Sequence, residues 1–273
     1  MPFCKLECIK FPDGELNLRF VEDVKGKDVF LVQNFQETKQ LTLNDKLVET
    51  LLAIYTAKDI GARKVYLIAP YFPYFRSDKR FKKGQCVSIK VMEKLFAPCD
   101  KVFCTAPHLH RIKNMSKALK NGVEIWVEEP IIKYLKKKKL KEPLFVGPDI
   151  ESLRWVRVVA KAFGQEPVVA RKTRKSATEV IVTLPKLKSA KGREIVIIDD
   201  IISTGHTMLE NISQLQKYKP QKFIVIGIHG IFAEGALPKL KKVALVASTN
   251  TISNRSEKID VAGEIAKAVR ENI

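Results

Sequence analysis

The sequence predicts an α/β protein made of two halves, each with a mainly parallel sheet flanked by helices. Short apolar runs typical of buried strands alternate with helical patterns along the whole chain. A length of 273 residues with 45% hydrophobic content allows two cores of similar size. We expect the first domain to cover residues 1–142 and the second to cover residues 143–273.

In the first half, an apolar periodicity from Leu47 to Tyr55 predicts a helix that begins at Asn44 or Asp45 and ends near Gly61. Before it, the sequence FPDGE at 11–15 is typical of a turn between two strands. After it we expect, in order, a strand at 65–69, a helix that begins after Ser88, and a strand at 102–105.

The second half repeats this scheme. Strands are predicted at 144–146 and 168–170, on either side of a helix at 153–163 that Gly164 ends. Residues 195–198 form an apolar run typical of a parallel strand buried on both faces, which we expect to end at Asp199 and Asp200. A further helix follows, because Met208, Ile212 and Leu215 recur at helical spacing.

The segment EIVIIDDIISTGHTM at 194–208 indicates a bound sugar phosphate. Adjacent carboxylates can accept hydrogen bonds from adjacent hydroxyls, so Asp199 and Asp200 suit a ribose diol. At the start of a helix, unpaired N–H groups and the helix dipole favour an anion. The residues that offer such groups and hydroxyls are Ser203, Thr204, Gly205, His206 and Thr207. The alternative is an ordinary strand-turn-helix junction with solvated aspartates.

Three further polar segments are candidates for chemistry. YFRSDKRF at 74–81 mixes aromatic and charged residues, which suits either a base with its phosphates or a solvated loop. His108 and Asp149 each follow a predicted strand and could share a magnesium ion, although a single histidine is more often structural. Lys172 and Arg174 lie in RKTRKSAT, which we interpret as a polar loop able to close over a transferring phosphoryl group.

Forty-nine basic and thirty acidic residues give a net charge of +19, which raises nucleic acid as a partner. The lysines are spread along the chain, however, and their densest run at 133–141 has one aromatic residue and no stacking pattern. We interpret that run as a solvated face and predict no nucleic-acid partner. Phosphorylated substrates would benefit from the same positive field.

Compartment and metal content follow from what the sequence contains. The five cysteines are odd in number and lack the spacing of a zinc site, so we expect reduced thiols. No apolar run reaches transmembrane length, and the N-terminal segment lacks the apolar core of a signal peptide. These observations predict a cytoplasmic protein with no membrane partner.

Taken together and in this order, the segments resemble the ribose-phosphate pyrophosphokinase (PRPP synthase) family over essentially the whole chain. VIIDDIISTGHTM is similar to the family's ribose-5-phosphate loop, FPDGE and FRSDKRF to its ATP-binding elements, and GPDIESL at 147–153 to its pyrophosphate and metal loop. TNTI at 249–252 and KIDVAGEIAKAV at 258–269 resemble its closing segments. HGIFAEGA at 229–236 is more similar to archaeal members than to bacterial ones.

The resemblance implies two phosphoribosyltransferase-like domains and a Mg²⁺-dependent enzyme that transfers the diphosphoryl group of ATP to the C1 hydroxyl of ribose 5-phosphate. It implies that the catalytic residues are Lys172 and Arg174 and that Mg²⁺ is bound by His108 and Asp149. The implied ATP-binding residues are Phe11, Asp13, Glu15, Arg76, Ser77, Asp78 and His108. The implied ribose-5-phosphate-binding residues are Asp199, Asp200, Ser203, Thr204, Gly205, His206 and Thr207. The resemblance also implies a homodimer or larger homo-oligomer, in which Arg76 or Asp78 completes the ATP site of a neighbouring subunit.

The chain departs from the family pattern at four positions. Ala106 and Ser203 stand where many members have aspartate, and Ser77 where many have glutamine. His206 replaces a glycine, which raises the question of whether that position requires a positive φ angle.

The aromatic run Tyr71, Phe72, Tyr74 and Phe75 can be interpreted in two ways. An isolated domain that left these side chains partly in water would favour a subunit interface, which supports the predicted oligomer. The alternative is that they belong to the core.

Three other functions compete with this interpretation. A phosphoribosyltransferase would use the same sugar-phosphate loop but would need no ATP-binding elements. A catalytically silent regulatory subunit would be expected to lose the cations, but Lys172 and Arg174 are present. A nucleic-acid-binding protein would show a salt-dependent gel shift.

Overall fold

The computed structural model describes residues 3–80, 82–109, 111–169, 171–174, 180–183 and 190–273. The chain divides into two compact units, one of residues 1–125 with 264–273 and one of residues 126–263. Each unit has its own parallel sheet accompanied by helices. The predicted fold class is therefore confirmed.

The first unit contains a four-stranded parallel sheet and an antiparallel hairpin. Its elements are, in chain order, β1 (Leu6–Lys10), β2 (Leu16–Phe20), β3 (Asp28–Val32), α1 (Leu43–Asp59), β4 (Lys64–Ala69), α2 (Ser88–Leu95), β5 (Lys101–Thr105), α3 (Met115–Ala118) and β6 (Gly122–Ile125). The sheet order is β3-β4-β5-β6, and every pair in it is parallel. The predicted hairpin around FPDGE is formed by β1 and β2.

Helix α1 begins one to two residues earlier than predicted. Its N-cap is Thr42, whose side-chain oxygen accepts a hydrogen bond from the backbone N–H of Asp45 at 3.1 Å. The Asp45 carboxylate in turn accepts from the backbone N–H of Thr42 at 2.9 Å, which lowers the pKa of Asp45. Thr42 and Asp45 therefore form a capping box, in which each side chain accepts a hydrogen bond from the backbone N–H of the other residue.

Three of the four clustered aromatic residues belong to the core of the first unit. Tyr71, Phe72 and Phe75 are buried, whereas Tyr74 is 38% exposed. The ring of Phe72 lies 4.9 Å from that of Phe75 and 5.0 Å from that of Phe96, centroid to centroid. Of the two alternatives, the core is therefore the correct one for Tyr71, Phe72 and Phe75.

The second unit contains a six-stranded parallel sheet and a second antiparallel hairpin. Its elements are, in chain order, α4 (Glu128–Lys136), β7 (Leu144–Gly147), α5 (Leu153–Lys161), β8 (Val168–Val169), β9 (Arg171–Arg174), β10 (Val180–Thr183), β11 (Glu194–Ile202), α6 (His206–Leu215), β12 (Lys222–Gly230), α7 (Ala236–Lys241), β13 (Leu245–Thr249), β14 (Glu257–Ile259) and α8 (Ala262–Asn272). Most of α8 groups with the first unit. Among the described residues, no helix is both long enough and apolar enough to cross a membrane.

The strand order of the second sheet reverses at its centre. The order is β8-β7-β11-β12-β13-β14, and β7 pairs with β11 in parallel. From this pair the chain adds β8 on one side and β12, β13 and β14 on the other. In open parallel sheets, ligands bind outside the carboxyl ends of the strands where the order reverses. A ligand site is therefore expected at the residues that follow β7 and β11.

The division into units differs from the predicted domain boundary at two helices, α4 and α8. The sequence places residues 264–273 with the second half, whereas most of α8 groups with the first unit. The sequence places residues 126–142 with the first half, whereas α4 groups with the second unit. The apolar face of α4, formed by Ile131, Ile132 and Leu135, is buried, and the helix contacts α5 and β14. The sequence of an amphipathic helix shows that one face is buried, but it does not show which sheet that face packs against.

All five cysteines are free in the structure. Cys99 and Cys104 are buried, and Cys86 is exposed. Burial raises the pKa of the Cys99 thiol to about 12, so this side chain behaves as a small hydrophobic group.

We expect Gly227→Ala to lower the free energy of unfolding by about 1–3 kcal/mol. A Cβ at Gly227 in β12 would lie 2.7 Å from Cδ1 of Ile202, a core residue of β11. Gly263→Ala in α8 is the matched control, because nothing lies within 4 Å of its added Cβ. Urea denaturation of both variants is the measurement, and equal losses in the two would contradict the predicted close approach.

Candidate active site

Asp199 and Asp200 lie within strand β11, near its carboxyl end. The prediction that the strand ends at this pair is wrong, because β11 continues to Ile202, which pairs with Gly230 of β12. The two carboxylates also hold the backbone: Asp199 Oδ1 accepts from the N–H of Asp200 at 3.1 Å, and Asp200 Oδ1 accepts from the N–H of Ile201 at 2.7 Å. These local hydrogen bonds give each buried carboxylate a donor within the strand.

The aspartate pair is a concentration of negative charge in a poorly solvated place. Asp199 is 9% exposed and Asp200 is 4% exposed. Buried carboxylates favour hydroxyl donors and cations, because each such contact offsets the loss of hydration. The arrangement is therefore suited to a diol or a metal ion.

The phosphate loop, residues 203–207, connects β11 to α6. Gly205 is the N-cap of α6 and has a φ of +71°, while His206 is the first residue of the helix and is absent from the residues with positive φ. The requirement for a positive φ therefore falls on Gly205, and histidine at 206 has no backbone cost of this kind. Thr204 and His206 are exposed, and Ser203 and Thr207 are half-buried.

The N–H groups of the phosphate loop are available to an anion. The first N–H groups of a helix have no intrahelical acceptor. In the part of the chain that the structure describes, no backbone N–H from Ser203 to Thr207 donates to another group, and the first such donor is Leu209, which bonds to the carbonyl of Gly205 at 3.0 Å. Together with the dipole of α6, these groups form a site for an anion the size of a phosphate.

Asp149 lies beside this loop at the same edge of the sheet. Val146 of β7 is paired with Ile197 of β11, and Asp149 and Asp200 each come three residues later. A tight turn orients Asp149: its Oδ1 accepts from the N–H of Ser152 at 3.0 Å, and its carbonyl accepts from the Ser152 hydroxyl at 2.7 Å. Ser152 lies within the GPDIESL segment, but the sequence analysis did not identify it as the residue that orients Asp149.

The two residues predicted to share a magnesium ion come from different units. His108 follows β5 in the first unit and is half-buried, and Asp149 belongs to the second unit. Between β5 and His108, Ala106 has a φ of +38°, which is uncommon for a residue with a side chain. Among the described residues, no group of three or more histidines, cysteines, aspartates or glutamates forms a metal cluster. The shared ion stays a prediction.

The predicted nucleotide residues of the hairpin lie at an exposed turn. Phe11 is 43% exposed, and Asp13 and Glu15 are exposed as well. The turn is closed by the N–H of Phe11, which donates to the carbonyl of Glu15 at 2.8 Å, and Gly14 has a φ of +96°. An exposed aromatic ring beside two carboxylates is available to a ligand, and the role of these residues stays a prediction.

The other predicted nucleotide residues follow β4. Arg76 is exposed, and the Ser77 hydroxyl donates to the carbonyl of Cys86 at 2.8 Å. The side chain of Asp78 is fully buried and forms an ion pair with Arg111. The sequence analysis missed Arg111, because nothing in its local pattern distinguishes it from the many other basic residues of the chain.

Lys172 and Arg174 lie in strand β9 rather than in a loop. Residues 171–174 pair with residues 180–183 of β10 in antiparallel register, with Lys172 opposite Val182 and Arg174 opposite Val180. The predicted polar loop is therefore wrong for these four residues, because main-chain pairing forms a strand without apolar anchors. The remainder of the predicted loop, residues 175–179, lies outside the described residues.

A buried polar network, also missed, supports the same edge of the second sheet. His229 at the end of β12 is 1% exposed, and its Nδ1 lies 2.9 Å from Oγ1 of Thr251. Thr249 donates to the carbonyl of Ile228 at 2.6 Å. In the sequence, His229 contributes only to the HGIFAEGA resemblance, since hydrogen-bond partners far apart in the chain leave no periodic signal.

A cavity of about 520 Å³ lies at the opposite edge of this sheet. It is lined by the first residues of β12 and β13, including Lys222, Phe223 and Leu245. The carboxyl-edge residues described above do not line it, so this cavity is not part of the candidate site.

Comparisons with known proteins agree with this architecture. Residues 1–99 match the model of the N-terminal domain of ribose phosphate pyrophosphokinase, and residues 116–261 match the phosphoribosyl transferase domain. A ribose-phosphate pyrophosphokinase from Pyrococcus furiosus is 34% identical over 97% of this chain and 92% of its own length. One from Methanothermobacter thermautotrophicus is 31% identical over 99% and 93%. The crystal structure of phosphoribosylpyrophosphate synthetase from Mycobacterium smegmatis has the same fold, with a TM-score of 0.85, 23% identity and coverage of 100% of this chain and 92% of the other.

We predict that Gly147→Ala destabilises the Asp149 turn and that Ser152→Ala partly rescues it. A Cβ at Gly147 would collide with the Ser152 hydroxyl oxygen, so the added methyl group displaces the side chain that holds Asp149. We expect a loss of about 1–3 kcal/mol in unfolding free energy for Gly147→Ala and about 1 kcal/mol for Ser152→Ala. The loss of unfolding free energy in the double variant should be smaller than the sum of the two single losses, because the colliding oxygen is gone. Urea denaturation of the three variants is the measurement. Additive losses would contradict this contact.

Proposed function

This chain belongs to the ribose-phosphate pyrophosphokinase family, and on that premise we propose how its residues make PRPP. The reaction transfers the β,γ-diphosphoryl group of ATP to the C1 hydroxyl of ribose 5-phosphate and releases AMP. The observation that carries the proposal is the segment from β11 to α6, where a buried aspartate pair leads into open N–H groups at the point of strand-order reversal.

Ribose 5-phosphate binds along this segment. Its 5-phosphate lies on the N–H groups and hydroxyls of residues 203–207, at the positive end of α6. Asp199 and Asp200 accept hydrogen bonds from the ribose hydroxyls or hold a metal ion bound to them. Since the sugar is fixed at both ends, its C1 hydroxyl is oriented for attack.

The chemical step requires positive charge rather than a protein nucleophile. The C1 oxygen attacks the β-phosphorus of ATP, the bond to the α-phosphate oxygen breaks, and AMP leaves. Negative charge spreads over the phosphoryl oxygens during the transfer. Lys172 and Arg174 stabilise this charge, and a bidentate guanidinium suits two phosphoryl oxygens.

The carboxylates of the site fit Mg²⁺, which prefers carboxylate oxygens, phosphate oxygens and water. His108 and Asp149 would hold the ion, with Asp199 and Asp200 close to the sugar side. The oriented carboxylate of Asp149 suits an ion held by one or two protein carboxylates and by substrate phosphates. When bound, Mg²⁺ would neutralise phosphoryl oxygens of ATP.

ATP binds to residues of the first unit: Phe11, Asp13, Glu15, Arg76, Ser77 and His108, and Asp78, whose side chain is buried, belongs to the same site as a supporting residue. The exposed ring of Phe11 is available to the adenine, and Arg76 is available to the phosphates. We further propose a homo-oligomer in the cytoplasm, with ATP sites completed across subunits. The burial of Tyr71, Phe72 and Phe75 removes the aromatic argument for this assembly, which now depends on the family resemblance alone.

The reaction is tested by measuring AMP formation from ATP and Mg²⁺ with and without ribose 5-phosphate. AMP formation that depends on ribose 5-phosphate supports the proposal. Consumption of PRPP with a nucleobase, without any use of ATP, would instead identify a phosphoribosyltransferase. The absence of both reactions would favour a catalytically silent regulatory subunit.

We expect Lys172→Ala and Arg174→Ala each to lower kcat by roughly 10²–10³-fold, because each removes charge that acts mainly in the transition state. Lys161→Ala, at an exposed position at the end of α5, is the control for loss of one positive charge. Steady-state AMP formation gives kcat, and thermal melting reports the fold. A variant with near-wild-type kcat would remove its residue from the mechanism, and a large fall in melting temperature would indicate a structural role.

We expect Asp200→Asn to weaken ribose 5-phosphate binding much more than ATP binding. Asparagine keeps an oxygen for the N–H of Ile201 while it removes the charge, so the strand is disturbed less than in Asp200→Ala. Calorimetry with each ligand separately is the measurement, and Glu166→Gln at an exposed position is the control. Equal losses for the two ligands would contradict the division of the site between sugar and nucleotide.

A further inference from the structure

The ion pair between Asp78 and Arg111 is unusual for a residue expected at a ligand site. The carboxylate of Asp78 receives three hydrogen bonds from one residue: Nη1 of Arg111 donates to Oδ1 at 2.9 Å and to Oδ2 at 3.3 Å, and the backbone N–H of Arg111 donates to Oδ2 at 3.2 Å. The Asp78 side chain is 0% exposed, whereas that of Arg111 is 48% exposed. The Asp78 carboxylate is therefore buried, whereas the Arg111 side chain is about half exposed to solvent.

This pair joins two segments that follow neighbouring strands of the first sheet. The β4 loop, residues 70–80, follows β4, and the β5 loop, residues 106–109 and 111–114, follows β5. Because β4 and β5 are parallel neighbours, both loops begin at the same edge of the sheet. Asp78 and Arg111 are 33 residues apart in the chain, so their bonds fix one loop against the other.

The same two loops carry residues that the proposed function assigns to ATP. Arg76 precedes Asp78 by two residues, and His108 precedes Arg111 by three. When the position of a loop is fixed before a ligand binds, less conformational entropy is lost on binding, which is the general advantage of a pre-organised site. The buried position of Asp78 suits such a supporting role better than direct contact with a ligand.

We propose that Arg111 is a positioning residue of the nucleotide site, which neutralises the buried Asp78 carboxylate and so holds the β4 loop and the β5 loop together. This inference rests on the proposed function, because it assumes that these loops bind ATP. It assigns Asp78 a role that acts through Arg111. It also adds a residue to the site that neither the sequence motifs nor the predicted ligand contacts contain.

The burial of only one partner makes the effects of substitution unequal. Removal of Arg111 leaves a carboxylate without its buried counter-charge, which is strongly unfavourable. Removal of the charge on Asp78 leaves a half-exposed guanidinium that water can solvate. Arg111→Met should therefore impair the site more than Asp78→Asn, and adding Asp78→Asn to Arg111→Met should restore part of the loss.

A second ion pair in the same sheet provides a matched control. Arg63 donates to Asp28 from Nε at 2.7 Å and from Nη2 at 2.8 Å, so its contacts are as short as those of the Asp78 pair. It lies at the opposite edge, where Asp28 begins β3 and Arg63 precedes β4, and its side chains are 66% and 27% exposed. Loss of this pair should leave ligand binding unchanged.

The test compares Arg111→Met, Arg111→Lys, Asp78→Asn and the double variant Arg111→Met/Asp78→Asn with Arg63→Met, Asp28→Asn and their double variant. KM for ATP, KM for ribose 5-phosphate, kcat and melting temperature are measured for each. We expect Arg111→Met to raise KM for ATP about tenfold or more, with KM for ribose 5-phosphate unchanged. Arg111→Lys and the double variant should show smaller increases, and the Arg63 and Asp28 variants should show none.

An unchanged KM for ATP in Arg111→Met would overturn the proposal, as would equal increases in KM for both substrates. If Arg111→Met does not fold, the double variant decides, because it contains no uncompensated buried charge: a selective increase in KM for ATP supports the proposal, and a wild-type value overturns it. Wild-type protein without AMP formation would contradict the proposed function instead. Calorimetry of ATP binding to the same variants would then decide the role of Arg111 separately.

Discussion

The parallel pairing of β7 with β11 is the constraint on which the sugar-phosphate half of the candidate site depends. Strands are added outward on both sides of this pair, so the connections diverge and leave a crevice at its carboxyl edge. The register places Asp149 and Asp200 at matching positions beyond the last paired residues. The phosphate loop follows from the same geometry, because α6 must begin where β11 ends.

Polar groups at the strand ends are costly to bury, and each is held by a nearby donor. Asp199 and Asp200 accept backbone N–H groups of the residues that follow them, Asp149 accepts from Ser152, and Asp78 accepts from Arg111. Such bonds replace part of the hydration that a buried carboxylate loses, and they fix its orientation before a ligand arrives. Order in the site and compensation for burial therefore come from the same hydrogen bonds.

The positive charge of the chain is consistent with the proposed substrates. ATP, ribose 5-phosphate and PRPP are all anions, and a net charge of +19 raises their concentration near the surface and speeds their encounter with the site. This long-range attraction does not select among phosphates. Selection requires short-range contacts, and the proposed ones are the open N–H groups of residues 203–207 and the acidic pair that precedes them.

The sequence by itself determined the α/β class, most of the strands and helices, and the segment from 194 to 208, because these depend on periodicity and on neighbours along the chain. It could not determine that β11 continues through Asp199 and Asp200, since that depends on pairing with β12. The grouping of α4 with the second sheet, the burial of the aromatic run and the partners Ser152 and Arg111 were likewise decided by tertiary structure. Contacts between residues far apart in a chain leave no local pattern, and a buried charge reveals its partner only after the chain has folded.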